Sequence, residues 1–470
     1  MIFIDAFHLP GLEEDDVLRW DVREYDGGRV RLRTPALKPA ALERLLARMA
    51  AARDRALAPL PVAEIVRAID AAAARFAEPS DPLRRLAEEA LPPITGYSPA
   101  MIRLVLDRMA PDWSAGALWS LLRSELGDPA LLDTFRPLPG APGSRARAYG
   151  PRVAFHIFAG NVPGVAVTSL VRSLLVKAAT LGKTASGEPL LAALFARALA
   201  ELSPALGECL AVTYWPGGEA ALEAVALGTA DTVVVYGGPD VVQAIRERIL
   251  PGRRLVEHGP RFSLALVARD ALTAAEAPTT AAHLARATAT FDQQGCVSPH
   301  AAYVERGGEV TPEAFAELLA RAMAHVEEEL PRGRLSAAEA TAIQQLRGAA
   351  EFRGFAGGET RLFASAGTEY TVIYDAEPTF AASCLNRVLR VIPLDRLDDV
   401  ASHIEPFGEF LQTVGVAAGE ERRAELAARL GAAGASRITT LERIPWPPPT
   451  WHHDGQEPLR ELLRWVDLEG

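Results

Sequence analysis

The chain has 470 residues, 49% hydrophobic and 23% charged, with a formal net charge of −11. This is ordinary globular composition, and its negative balance disfavours nonspecific binding to nucleic acid. Cys209, Cys296 and Cys384 form an odd, sparse set with no CxxC or Cys/His cluster, which argues against a disulfide framework or a structural zinc site and for a reducing, cytoplasmic setting.

The opening MIFIDAFHLPGLEEDD lacks the basic and apolar regions of a secretory signal. No run approaches the ~18 uncharged apolar residues of a transmembrane helix, so no membrane span is expected. Residues 37–135 read as helices. Leu42, Leu45, Leu46 and Met49 fall on one helical face, Pro61 precedes a second helical run, and Ser98 stands as an N-cap before Pro99. The Pro/Gly-rich stretch 136–150 reads as a connection between units.

From residue 151 short β-rich runs alternate with helical ones: RVAFHIFAG, ATLGKT, CLAVTYW, DTVVVYGG and RFSLALVA, each followed by a helical pattern or a turn. Such alternation implies βαβ units and a mostly parallel sheet. A second α/β region follows, with HAAYVERG, helical patterns at 312–330 and 336–350, then TVIYDA, RVLRVIPL and FLQTVGVAAG. The tail carries WPPPTWHHDG and a last amphipathic run, PLRELLRWVDL.

Several residues are candidates for chemistry. Cys296 lies in QGCVSP, a turn before a strand, where a thiolate is a strong nucleophile at neutral pH. A lone cysteine is more often a small buried hydrophobe, and Cys209 and Cys384 keep that reading. The AGNVPG turn at 159–164 follows a strand and opens a helix, placing Gly160 and Asn161 where α/β sheets bind ligands. GKTASGEP at 182–189 is not a phosphate loop, because Lys177 stands where the first glycine is required. Gly237 and Gly238 end a strand without a GxGxxG pattern. Glu257 is either a general base or a solvated strand-end carboxylate. His452, His453 and Asp454 lack metal-ligand spacing, so no metal is expected.

The order of these motifs resembles the aldehyde dehydrogenase superfamily, and within it the acyl-CoA reductase (LuxC-like) family. The matching positions are Asn161-Val162-Pro163, then Lys183, Ala185 and Pro189, then VVVYGG, then Glu257-His258-Gly259, and last Gly295-Cys296. AGNVPGVAVTSLVRSLLVK, TYWPGG, HGPRFS, QGCVSPH and WHHDG point to the reductase branch, and the resemblance covers roughly residues 150–460.

The resemblance implies an α/β fold, aldehyde dehydrogenase-like, with a Rossmann-type cofactor domain, an α/β catalytic domain and a helical N-terminal region. The boundaries expected are 1–150 for the helical region packing on the cofactor domain, 151–275 for NAD(P) binding, 276–435 for catalysis, and 436–470 for an oligomerisation or domain-bridging segment. By the same resemblance Cys296 is the nucleophile, and the Asn161 amide with the Cys296 backbone N–H binds the oxyanion. Gly160, Lys183, Ser186, Gly237 and Gly238 contact the cofactor. NAD-preferring relatives often place a glutamate three residues after the lysine, where Ser186 stands here; it would repel a 2′-phosphate, so NADPH is expected to serve at least as well as NADH.

The implied reaction is reduction of an acyl-CoA or acyl-carrier-protein thioester to an aldehyde, with coenzyme A as leaving group, by a homodimer or homotetramer. Two alternatives stay open. One is an aldehyde dehydrogenase using Glu257 as base. The other is an acyl-transfer or non-catalytic paralogue.

Overall fold

The computed structural model describes residues 1–140 and 142–469. The chain divides into two compact units. The first holds Met1–Thr95, Ile102–Gly259 and the segment from Pro448 onward; the second holds Gly96–Met101 and Pro260–Pro447.

The first unit opens with a small sheet of β1 (Ile2–Asp5), β2 (Val17–Tyr25) and β3 (Val30–Leu37), in the order β1-β3-β2. The helical region expected over residues 1–150 thus begins with strands, ahead of the helices read from residue 37. The period-2 signal was there: Val30, Leu32 and Thr34 point inward while Arg31 and Arg33 are partly exposed. Helices α1 (Pro39–Ala52), α2 (Val62–Ala77), α3 (Pro82–Thr95), α4 (Pro99–Met109) and α5 (Ala115–Leu126) follow. Leu42, Leu46 and Met49 are buried on α1. Pro61 is the N-cap of α2, and Ser98 Oγ accepts the Met101 N–H at 3.2 Å, capping α4.

The stretch expected as a bare connection, 136–150, contains β4 (Arg136–Pro137) and β5 (Arg145–Tyr149), with residue 141 of that stretch outside the described residues. Strand β5 pairs antiparallel with β4 and with Arg464–Leu468, where the last amphipathic run ends as a strand. Of the tail 436–470, residue 470 also lies outside the described residues.

The centre of the first unit is a five-stranded parallel sheet of β6 (Val153–Ile157), β7 (Ala179–Thr184), β8 (Leu210–Tyr214), β9 (Thr232–Tyr236) and β10 (Arg254–His258). Its helices are α6 (Val165–Leu175), α7 (Leu191–Leu202), α8 (Pro204–Gly207), α9 (Ala220–Thr229) and α10 (Pro239–Arg246). Every residue of β6, β7 and β9 is buried, which is why TVVVY of β9 reads as a continuous apolar run, while β7 buries Thr180, Lys183 and Thr184. The spatial order β10-β9-β6-β7-β8 reverses chain direction between β6 and β9. A Rossmann-type sheet binds ligands in the crevice at the carboxyl ends of such a pair.

The second unit is built on a seven-stranded sheet: β11 (Phe262–Val267), β12 (Pro299–Glu305), β13 (Thr360–Ala364), β14 (Thr371–Asp375), β15 (Val388–Leu394), β16 (Leu411–Ala417) and β17 (Arg437–Thr439). The order is β13-β14-β15-β12-β11-β16-β17, with only the β13–β14 pair antiparallel. Packed around it are α11 (Ala277–Ala289), α12 (Pro312–Glu329) and α13 (Ala337–Phe355). RFSLALVA, expected at the end of the cofactor domain, is β11 of this sheet, hydrogen-bonded to β12 and β16. The division therefore falls at Gly259/Pro260 rather than 275/276, and the tail divides at Pro447/Pro448. A doubly covered parallel strand is apolar on both faces, so its residues do not reveal which sheet it joins. Among the described residues no helix is long and apolar enough to cross a membrane.

Candidate active site

In the first unit, the chain leaves β6 at Ile157 and runs through Gly160, Asn161 and Pro163 into α6. Gly164, at φ 96°, is the N-cap of that helix. That backbone favours glycine, and a Cβ there would sit 2.7 Å from Met109 Sδ, the movable end of a flexible side chain. Gly160 is constrained by packing: a Cβ would lie 3.0 Å from Ala185 Cβ and 3.0 Å from the Glu188 nitrogen. The turns after β6 and β7 are therefore in close contact. Asn161 is exposed at the tip.

Lys183 sits within β7, and its side chain is largely buried. Burial lowers its pKa, with Glu223 pulling the other way. Its ammonium lies 5.8 Å from the centre of the Trp215 ring. Among the described residues no carboxylate pairs with it; Glu223 is engaged by Arg248 instead. Ser186 is exposed in the turn that Ala185 and Glu188 close. The buried Glu188 carboxylate accepts the Leu190 and Leu191 N–H groups at 2.8 and 2.7 Å, fixing the start of α7. At the end of β9, the Gly237 N–H donates to the His258 carbonyl at 3.1 Å, and Gly238 is the N-cap of α10.

Glu257 and His258 are neighbours on β10 and therefore point to opposite faces of the sheet. Glu257 accepts two hydrogen bonds from the Arg246 guanidinium, one at 2.9 Å. His258 joins a column of four stacked rings. Tyr236–His258, His258–His453 and His453–Trp451 have centroids 4.3, 4.4 and 4.7 Å apart and interplanar angles of 15°, 22° and 25°. Beneath the column the Tyr236 hydroxyl donates to Ser169 Oγ at 3.2 Å, and His156 contacts Ser169 and Ser173 at 2.8 and 3.2 Å. Burial, then repulsion from His258, drives His156 down to about 3, so it is neutral. Arg172, buried beside Tyr236, lines the same pocket as these groups.

His258, His453 and Asp454 offer ligand atoms within 4.8 Å of one another. The two rings nevertheless face each other nearly parallel at 4.4 Å. Ring nitrogens bind metals in the ring plane, and two stacked planes do not share a point at bonding distance.

In the second unit, Cys296 follows an unusual backbone. Phe291, Asp292 and Gln293 all lie in the left-handed region, at φ 56°, 48° and 65°. Each costs about 1–2 kcal/mol for an L-residue. A second left-handed run, Leu385, Asn386 and Arg387, at φ 66°, 55° and 65°, interlocks with the first. Arg387 Nε donates to the buried Asp292 carboxylate at 2.9 Å, and the Asn386 N–H donates to the Asp292 carbonyl at 3.1 Å. Gln293 bridges the same strands, donating to the Pro299 and Val388 carbonyls at 2.8 and 2.9 Å and accepting the Val388 N–H at 2.9 Å. Tyr97 donates to the Phe291 carbonyl at 3.1 Å. These bonds offset the strain and fix the turn ahead of the cysteine.

Cys296 itself is partly exposed, and its carbonyl accepts the Ser263 hydroxyl at 2.8 Å. Gly295 has no room for a side chain, since a Cβ would meet Phe291 at 3.1 Å and Ser298 Oγ at 3.2 Å. The other thiols differ. Burial pushes Cys209 up to about 12, and Cys384, half-buried, is also raised by burial. The sequence reading missed Asp292, Gln293 and Arg387. Their only signal was the polar run Asp-Gln-Gln ahead of Gly-Cys.

The positions chosen from sequence thus fall into two sets. Gly160, Asn161, Lys183, Ser186, Gly237 and Gly238 gather around the carboxyl ends of β6, β7 and β9, with Glu257 on the adjoining β10. Cys296 stands in the second unit at the amino end of β12.

Comparison with known proteins bears on the family and the fold. Two long-chain acyl-protein thioester reductases are similar along most of the chain. That of Photobacterium phosphoreum is 25% identical over 386 residues, covering 80% of this chain and 74% of its own. That of Vibrio harveyi is 24% identical over 379 residues, covering 80% and 76%. An NAD-dependent benzaldehyde dehydrogenase from Corynebacterium glutamicum superimposes with a TM-score of 0.72 at 15% identity, covering 99% of both chains. Aldehyde dehydrogenase 21 from Physcomitrella patens gives 0.73 at 13% identity, covering 97% of this chain and 95% of its own. These two establish the aldehyde dehydrogenase fold. The family description "Acyl-CoA reductase (LuxC)" matches residues 57–465, so the chain belongs to this family of oxidoreductases acting on acyl and aldehyde groups.

Proposed function

We propose that this protein reduces an acyl thioester to the corresponding aldehyde through a covalent acyl-Cys296 intermediate, with NADPH as the preferred reductant. The observation that carries this reading is Cys296: a partly exposed thiol in a turn held by two interlocked left-handed segments. A structural cysteine has no need of such a costly support.

The residues of the first unit suit a nicotinamide dinucleotide. Lys183 is a mostly buried cation without a carboxylate partner among the described residues, which suits an anionic or hydroxyl-rich ligand. Gly160 and Gly237 let the chain pack closely on Ala185, Glu188 and Val241 at the switch point, and Ser186 offers a hydroxyl rather than a repelling carboxylate. When bound, the nicotinamide supplies the hydride that reduces the acyl carbon.

The chain's own residues do the rest. Thiolate Sγ of Cys296 attacks the thioester carbonyl, and the substrate's thiol departs. The resemblance gives the oxyanion two donors, the Asn161 side-chain amide and the Cys296 backbone N–H. After reduction the thiohemiacetal on Cys296 collapses, releasing aldehyde and regenerating the thiolate. The similar reductases are named for acyl-protein thioesters, which supports a carrier-protein thioester, beside acyl-CoA, as the physiological donor. The oxidative alternative needs Glu257 to take a proton from water. Its pairing with Arg246 disfavours that role.

The test is intact-protein mass spectrometry after mixing with acyl-CoAs of graded length and with an acylated carrier protein. The expected result is one acyl adduct, lost in Cys296→Ala and kept in Cys209→Ala, and cleared as aldehyde when NADPH is added. An adduct that survives Cys296→Ala, or none with any thioester, would overturn the reading.

A further inference from the structure

The tail closes a small pocket against the parallel sheet of the first unit. Its walls include Arg172 on α6, Tyr236 on β9, His258 on β10, and His453, Gln456 and Leu462 of the tail. All of them belong to the first unit. The free space is narrow, with room for about one or two water-sized groups.

Arg172 is the unusual member of this wall. It is only 7% exposed, and its Nε is buried with no hydrogen-bond partner among the described residues. The guanidinium hydrogen-bonds the Tyr236 hydroxyl, which itself donates to Ser169 Oγ at 3.2 Å. One hydroxyl cannot satisfy five N–H donors.

The acids around the pocket do not meet that demand. Asp112 and Glu125 act on Arg172 through space. Glu125 spends one oxygen on the Leu459 and Arg460 N–H groups, at 2.8 and 3.0 Å, and its other oxygen, Oε1, is buried without a partner. Asp454 is held by His258. Glu461, also on the wall, is exposed to solvent. His156 has both ring nitrogens engaged by Ser169 and Ser173.

We propose that this pocket binds a small planar carboxylate, of about the size of formate, on the Arg172 guanidinium, with the Gln456 amide on the same wall. Two oxygens in one plane match the fork of guanidinium N–H groups, and a buried donor that meets an acceptor no longer carries its desolvation cost. A metal cation is repelled by the same charge. Binding ties α6 to the tail, which gives the WHHDG segment a use beyond packing. The site is independent of whether Cys296 is the nucleophile.

The test uses the full-length protein and sodium formate. Saturation-transfer NMR of the formate proton and thermal melting are compared with sodium chloride at equal ionic strength. Formate is expected to receive saturation from the protein and to raise Tm saturably, by about 2 °C or more over chloride. Arg172→Met is expected to lose both effects. Absence of transfer, a Tm no higher than in chloride, or effects that persist in Arg172→Met would overturn the proposal. Inorganic phosphate forms a second arm: displacement of formate by phosphate at a lower concentration than formate itself needs overturns the choice of a planar carboxylate. If Arg172→Met does not fold, Gln456→Leu decides. Formate affinity weakened about threefold or more there sustains the pocket, and unchanged affinity overturns it.

Discussion

His258 donates its Nδ1–H to Asp454 Oδ2 at 2.8 Å, joining the end of β10 to a loop 196 residues later in the chain. The Asp454 side chain is 1% exposed and its backbone is left-handed, at φ 56°. A carboxylate so buried is tolerated only where its partner is fixed, and here the ring column on both sides of His258 fixes it. Asp454→Ala leaves the imidazole N–H unsatisfied inside the unit. The expected loss is about 1–3 kcal/mol of stability by urea denaturation. A loss below roughly 0.5 kcal/mol would mean the pair is structurally inert, as most surface pairs are.

Glu257, one residue earlier, is the position where a hydrolytic base stands in the oxidising relatives, and Arg246 engages both of its carboxylate oxygens. Glu257→Gln is therefore expected to lower kcat for thioester reduction by less than about tenfold, since general-base loss costs typically 10²–10⁴. A loss of about a hundredfold or more, with acyl-Cys296 accumulating, would restore a catalytic role to Glu257.

Local chemistry was legible in the sequence wherever a residue type had one physical use. Gly164 needs a positive φ, the burial of β9 needs TVVVY, and Ser98 caps a helix. These follow from sterics and hydrogen-bond demand within a few residues. Pairings that depend on distant chain were not legible. Nothing in FDQQGC predicts that Asp292 meets Arg387 across 95 positions, or that a left-handed run of three non-glycine residues is stabilised by another. The membership of β11 was hidden for the same reason. Its residues state only that both faces are covered, and its partners β12 and β16 lie far along the chain. Glu257 was legible as a titratable strand end, but its Arg246 partner depends on how α10 returns to the sheet.

On the proposed reading cofactor preference turns on Ser186, which is exposed in the turn closed by Ala185 and Glu188. Ser186→Glu introduces a carboxylate near Lys183 without disturbing a buried group. The expected result is a fall of about tenfold or more in kcat/KM for NADPH relative to NADH, through repulsion of the 2′-phosphate. An unchanged ratio would place the 2′-position away from this turn. Lys183→Met is expected to raise KM for both cofactors, because on the proposed reading its ammonium serves either one.

Stability toward acid is set by buried groups whose signs differ. His156 is driven to about 3, chiefly by burial, and His300 to about 4, also by burial, against 6.5 for either in the unfolded chain. The Ser383 N–H donates to His300 Nδ1, so that nitrogen serves as an acceptor in the fold. Below 6.5 the unfolded chain takes up protons that the fold refuses. The contribution of each histidine is full above that value and drains as pH falls toward 4 and 3, by up to about 1.4 kcal/mol per pH unit. Asp112 runs the other way. Burial lifts it from 3.8 to about 6, against the opposing pull of Arg172, so its contribution is present below 3.8 and is lost as pH rises through 6. Asp112→Asn is therefore expected to stabilise the protein by on the order of 1 kcal/mol near pH 7.5 and to have little effect near pH 4. Urea midpoints across that range check both signs. The histidine sign is read against a variant: His300→Gln is expected to lose less of its urea midpoint than wild type between about pH 7 and 5, and a parallel fall contradicts the buried neutral imidazole. An Asp112→Asn variant no more stable than wild type at the upper end contradicts the raised carboxyl.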